Sequence, residues 1–236
     1  MENSIESTKW DIREKLFVAV CLLIMGAVMW RSIHFLSPTF DEPVHTVSGV
    51  AHWQKSDTRL NPEHPPLMKV LAALPLVFDV HPDYNSKFFC SQGSCEWLFT
   101  RTQFESDRLQ EWITRARLPM ILITLLTGWV LYAAARRLGG VSGAVLALVV
   151  FATSPFFLGY GALVTNDVLL AMMSLLVCMT ATDAIFKPGR KTMILLGLAM
   201  AGAWLAKFSA VSIIPPWPAI GSLWLYIYMS ISSWVF

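Results

Sequence analysis

Apolar residues run along this chain in stretches long enough to make lipid, rather than water, the main solvent. A helix rises about 1.5 Å per residue and the hydrocarbon layer is about 30 Å thick, so roughly 20 apolar residues mark a crossing. The first run spans 16–36, with Arg31 and His34 near its end. Runs at 118–135, 141–157, 168–186 and 193–206 follow, and a sixth at 209–236 is broken by Pro215, Pro216 and Pro218. The pattern predicts an all-α polytopic membrane protein of about six spans, forming a single membrane domain over 1–236. A long polar loop, 37–117, separates spans one and two. No fixed-period repeat or flexible linker divides the chain.

Composition agrees: 55% of the 236 residues are hydrophobic and 14% are charged, too apolar for an ordinary soluble domain. The formal charge of +2 is small and dispersed, which excludes a nucleic-acid footprint. Basic residues inform by position instead. Lys9, Arg13 and Lys15 precede span one, Arg136 and Arg137 join spans two and three, and Lys187, Arg190 and Lys191 join spans four and five. The connection 154–161 has none. The positive-inside rule therefore expects a cytoplasmic amino terminus and an outer loop at 37–117, extracytoplasmic or luminal. The first run lacks an Ala-x-Ala-like cleavage site, which favours an uncleaved span over a secretory signal.

Most of the acidic residues and four of the five histidines fall in that loop, so candidate chemistry concentrates there. Thr39-Phe40-Asp41-Glu42-Pro43 sets a carboxylate pair beside the membrane and predicts a helix to about Lys55, with His45 and His52 on one face. Asp41 is read two ways: as the N-cap of that helix, or as a base at the membrane boundary. Asn61-Pro62-Glu63-His64-Pro65-Pro66-Leu67-Met68-Lys69 then leads into an interfacial helix with Leu67, Val70, Leu71, Leu74 and Phe78 at helical spacing. Its proline pair fixes the direction in which Glu63, His64 and Lys69 project, an arrangement suited to gripping phosphate. Cys90 and Cys95 are favoured as a disulfide over a metal site, because two cysteines are too few ligands. A divalent metal held through Glu63 or His64 stays open, since no complete ligand set is visible.

Ionisable residues at the span ends matter because charge inside lipid is costly. Asp167, in Thr165-Asn166-Asp167, opens span four, either as a cap or as a functional group. Lys207 closes span five on the same side, so Asp41, Asp167 and Lys207 are expected to meet one surface. Asp183 is expected to pair with Lys187.

Asp41-Glu42, the segment Glu63-His64-Pro65-Pro66-Leu67-Met68-Lys69, Gly139-Gly140, Ser154-Pro155, Thr165-Asn166-Asp167 and Ala206-Lys207-Phe208 together resemble the dolichyl-phosphate-mannose protein mannosyltransferase superfamily. The resemblance extends from about residue 16 to 215. It implies a GT-C fold and a membrane glycosyltransferase that moves a sugar from a polyprenyl-phosphate donor to a hydroxyl acceptor, with inversion. Asp41 is then the catalytic base and Asp167 its helper, with Glu42, Glu63, His64, Lys69 and Lys207 binding substrate. Relatives that modify lipid A carry a lysine where this chain has His64, which leaves the phosphate contact open among His64, Lys69 and Lys207. The implied partners are a polyprenyl-phosphate-linked sugar, a protein or glycolipid acceptor and membrane lipid, in a prokaryotic plasma membrane or the endoplasmic reticulum. Family members have many more spans, so the resemblance also implies that the chain holds about the first half of such a protein. The rival classes are a transporter or flippase, expected to show midplane charges and related halves, and a non-catalytic truncated scaffold.

Overall fold

The computed structural model describes residues 10–89, 95–104 and 108–213. Among these it is all-helical, and the chain is an all-α polytopic membrane protein. Its helices are α1 (Ile12–Ile33), α2 (Glu42–Lys55), α3 (Pro66–Ala73), α4 (Cys95–Phe104), α5 (Leu109–Thr153), α6 (Pro155–Tyr160), α7 (Asp167–Phe186), α8 (Arg190–Ala206) and α9 (Ala210–Ile213). Among the described residues α1, α5 and α7 are long and apolar enough to cross a membrane. Most of the expected sixth run, 209–236, lies outside the described residues.

Local chemistry moves several boundaries away from the hydropathy pattern. Helix α1 starts at Ile12 rather than residue 16, because Asp11 and Glu14 form a capping box ahead of the apolar run. It ends at Ile33 rather than 36, where Arg117 takes up the Ile33 and Leu36 carbonyls. Helix α5 begins at Leu109, inside the expected loop. Arg108 and Arg115 both pair with Glu111 there, giving a polar helical turn that hydropathy does not register.

At the far end of its first arm α5 reverses direction. Gly139 (φ −126°, ψ 15°) and Gly140 (φ 64°, ψ −161°) leave helical geometry, and the positive φ at Gly140 is one that glycine adopts without strain. The second arm folds back on the first: Phe151 lies against Gly128, and Ala144 and Leu148 share a cluster with Tyr132 and Val18 of α1. Glu14 pairs with Arg136 at this end of the bundle. Asp183 pairs here with Arg137, not with Lys187 as expected, because the reversal brings Arg137 beside the last turns of α7.

At the opposite end α2 and α3 cross over the core formed by α5, α7 and α8. The crossing is tight. A Cβ on Gly49 would lie 2.0 Å from the Lys69 carbonyl oxygen and 2.8 Å from the Ala73 Cβ. Backbone cannot yield as a side-chain tip can, so Gly49→Ala is expected to cost about 1–3 kcal/mol and to displace the turn before α3. A lowered melting temperature of the purified protein is the outcome to look for. An unchanged melt would mean that the helices part freely.

Candidate active site

Asp41 and Glu42 are neighbours with opposite fates. Glu42 is fully buried, and both its oxygens are committed. Oε1 accepts from the Arg117 Nε at 2.8 Å and the Val164 amide at 3.0 Å, and Oε2 from Arg117 at 2.6 Å and from the amide and hydroxyl of Thr39 at 2.8 and 3.0 Å. Arg117, equally buried, spends its remaining donors on the carbonyls of Ile33, Leu36 and Ser37. Burial alone would raise the Glu42 carboxyl, but hydrogen bonds from Arg117 and two backbone amides hold it below the ordinary range. One carboxylate thus joins the end of α1, the start of α2, α5 and the segment before α7.

Asp41 stands at the N-cap position of α2, yet its backbone is already helical and its side chain makes no capping bond. It is exposed. The capping alternative for Asp41 therefore has no hydrogen bond behind it, and the carboxylate is left facing outward. Phe40 beside it stacks on Trp97 of α4, centroids 4.0 Å apart.

The turn before α3 is built around Lys69. Its ammonium donates to the carbonyls of Asn61 and His64, both at 2.7 Å, and to the Asn61 side-chain oxygen at 3.3 Å, which uses all three of its protons. Burial pulls Lys69 down to about 8. Expected to bind substrate, Glu42 and Lys69 instead direct their full hydrogen-bonding capacity at the protein. Asn61 adopts φ 54°, a conformation tolerated by asparagine, and so closes the turn. The turn carries exposed Glu63 and half-buried His64. Burial, Lys69 and Lys207 lower the His64 imidazole, while Glu63 and Asp41 oppose them. His64 is thus the point where the charges of Asp41, Glu63, Lys69 and Lys207 converge.

Behind His64 stands His45, ring centroids 5.3 Å apart, with only 5% of its surface exposed and its Nδ1 without a partner. Burial, then His64 and Lys69, push it down to about 4, against Asn61 and Glu42. Its folded pKa lies below its unfolded one, so its contribution to stability is lost as pH falls from about 6.5 to about 4. A shift of that size at a buried site corresponds to roughly 3 kcal/mol. His45→Phe is expected to flatten the acid side of the stability curve in this window. A melting-temperature profile with the same acid slope as the parent would remove His45 as the cause.

From the other side of the site, Lys207 donates to the Asp167 Oδ1 at 2.6 Å and the Tyr160 hydroxyl to Oδ2 at 3.1 Å. Asn166 rather than Asp167 holds the N-cap position of α7, so the Asp167 carboxylate serves this pair instead of capping. Tyr160 stacks on exposed Phe156. Sequence reasoning did not single out Arg117, Tyr160 or Asn61. Arg117 carried a usable signal, an ionisable residue adjoining an apolar run. Of the expected Cys90–Cys95 pair, Cys90 lies outside the described residues and Cys95 opens α4. Among the described residues no three His, Cys, Asp or Glu side chains converge as a metal site.

No curated protein and no solved structure shows significant similarity to the chain. The profile of one family, dolichyl-phosphate-mannose-protein mannosyltransferase, matches residues 109–232. That stretch holds Arg117, Asp167 and Lys207 and runs on from α5, over more than half of the 236 residues. By that match the chain belongs to the dolichyl-phosphate-mannose-protein mannosyltransferase family and is a membrane glycosyltransferase by descent.

Proposed function

We propose that this protein transfers a sugar from a polyprenyl-phosphate donor to a hydroxyl acceptor on the extracytoplasmic or luminal side, with inversion at the anomeric carbon. The observation that carries this proposal is an exposed carboxylate without a capping bond, Asp41, together with the Asp167–Lys207 ion pair, the charges of Asp41 and Lys207 both bearing on the His64 imidazole. A glycosyl phosphate already has a good leaving group, so the chain must supply a base for the acceptor and a cation for the departing phosphate.

Asp41 takes the proton of the acceptor hydroxyl as that oxygen bonds to the anomeric carbon. The bond from that carbon to the phosphate oxygen breaks, and polyprenyl phosphate leaves with the electron pair. Lys207 offsets the charge gathering on the phosphate, and Asp167, steadied by Tyr160, fixes where that ammonium points. Glu63 and His64 meet the substrate from the turn before α3, and Glu42 and Lys69 hold the backbone that presents them. A disulfide between Cys90 and Cys95 would stiffen the approach to α4. Attack from the face opposite the phosphate requires no covalent sugar–enzyme intermediate.

The test is transfer by the intact protein in proteoliposomes, supplied with polyprenyl-phosphate sugars of defined anomeric configuration. Product of inverted configuration is expected. Retention, or no transfer from any such donor, would overturn the reading.

A further inference from the structure

At the end of the bundle opposite Asp41, where Glu14 meets Arg136, α1 and the first arm of α5 leave a groove of about 540 Å³ between them. Trp10, Lys15, Val18, Ala19, Leu22 and Trp129 line it. From Lys15 to Leu22 it follows α1 for about 10 Å of rise. Trp10 is fixed by its neighbours, its ring edge-on to Tyr132 with centroids 4.9 Å apart and tilted against Trp129 at 6.0 Å.

The groove changes character along its length. Lys15, at its polar end, is exposed and has no hydrogen-bond or ion-pair partner among the described residues. The carboxylates nearest to it in the chain are spent: Glu14 accepts from Arg136, Tyr132 and the Asp11 amide, and Asp11 caps α1. The Lys15 charge is therefore left for something outside the chain. Trp10 and Trp129 carry indole N–H groups that donate to no described residue, and Trp129 is 49% exposed. Because the Tyr132 hydroxyl reaches Glu14, Trp129, one turn nearer the middle of the bundle, lies about 4.5 Å deeper. A donor at that depth needs an acceptor, and hydrocarbon has none. Val18, Ala19 and Leu22 complete the groove with apolar surface alone.

From the polar end inward the groove thus offers a cation, then N–H donors, then hydrocarbon. A glycerophospholipid presents the matching sequence of phosphate, ester carbonyls and acyl chain. Inorganic phosphate would leave the apolar length unfilled. A polyprenyl phosphate has no carbonyl for the indoles, and sugar transfer needs its phosphate at the other end of the bundle. Exposed Arg13 stands beside Lys15 in the chain, so a headgroup with its own cation is disfavoured and a net anionic one is drawn in.

We infer that this groove holds one anionic glycerophospholipid, its phosphate on Lys15, its ester carbonyls at the indoles of Trp10 and Trp129, and one acyl chain along Val18, Ala19 and Leu22.

Native mass spectrometry of the intact protein, released from a neutral detergent and titrated with defined lipids, tests this. One phosphatidylglycerol is expected to be retained per chain, with phosphatidylcholine held about tenfold more weakly. Lys15→Gln is expected to raise the half-saturating concentration of phosphatidylglycerol about tenfold, the loss of one charge-assisted hydrogen bond. Ala19→Trp fills the acyl track, leaves every charge in place and is expected to weaken binding as much. Arg13→Gln removes the same charge outside the groove and is expected to bind like the parent. Lys15 and Ala19 are exposed, so the lipid-free variants should melt with the parent. Equal retention of phosphatidylcholine, an Arg13→Gln effect as large as that of Lys15→Gln, or parent-like binding by Ala19→Trp each overturns the site, the last by reducing it to surface charge. Displacement of the phosphatidylglycerol by inorganic phosphate, or by an equal concentration of a polyprenyl phosphate, would overturn the assignment to a glycerophospholipid. None of these measurements uses sugar transfer, so a failed transfer assay leaves the lipid site standing.

Discussion

Asp41→Asn lowers sugar transfer by about 10²- to 10⁴-fold, the range spanned by a general base, while the amount of protein in the membrane and its melting temperature stay at the parent's values. The expectation follows from how little the Asp41 side chain does for the fold. It is exposed and makes no capping bond to α2. Asparagine keeps its shape and removes only its basicity. The loss should therefore fall on kcat and leave the donor KM near its original value, since the acceptor proton moves only in the transition state. Transfer at the parent rate would sink the base assignment. A large fall in abundance would show instead that Asp41 serves the fold.

Arg117→Leu is the second large effect, and it acts on stability. With the guanidinium gone, Glu42 stays fully buried with no countercharge, and the carbonyls of Ile33, Leu36 and Ser37 lose their donors. Breaking a buried pair from one side costs about 3–5 kcal/mol, so the purified variant is expected to melt well below the parent. Removing the other charge too, in Arg117→Leu/Glu42→Leu, should recover part of the loss, because no isolated charge then remains. A single variant that melts with the parent would show that the pair is dispensable. The pair also has a pH signature. The folded Glu42 carboxyl lies below its unfolded value, so its stabilisation is present above the ordinary carboxylate range and is lost as pH falls through the lower, folded value.

Hydropathy made the helices legible because lipid demands long apolar runs: α1, α5 and α7, the described helices long and apolar enough to cross a membrane, each begin or end within a few residues of such a run, as does α8. Gly139-Gly140 entered only through the family resemblance, and the reversal they make was not read from the sequence, although paired glycines between two apolar runs are a local turn signal. For the candidate site, the sequence named the residues but not which of them the fold itself ties down. Asp41 and Glu42 are adjacent and chemically alike, and what separates them is Arg117, whose partner Glu42 lies 75 residues earlier. Lys69 looked like a phosphate ligand for the same reason, its true partners being carbonyls that no side-chain pattern records. Tyr160 was hidden among aromatic residues, because its meeting with Asp167 depends on how the segment between α6 and α7 folds.

The reach of the Glu42 carboxylate also sets an order on biosynthesis. Its last donor, the Val164 amide, leaves the ribosome 122 residues after Glu42 and 47 after Arg117 (164 − 42 and 164 − 117). At about 5–20 residues per second, several seconds separate insertion of the first arm of α5 from arrival of that amide. Throughout that interval the nascent loop beyond α1 holds its acid and its guanidinium but not the strand of backbone that seals them. Closure of this buried ion pair is thereby timed to the emergence of α7, and a chain stalled before Val164 presents quality control with an unsealed charge.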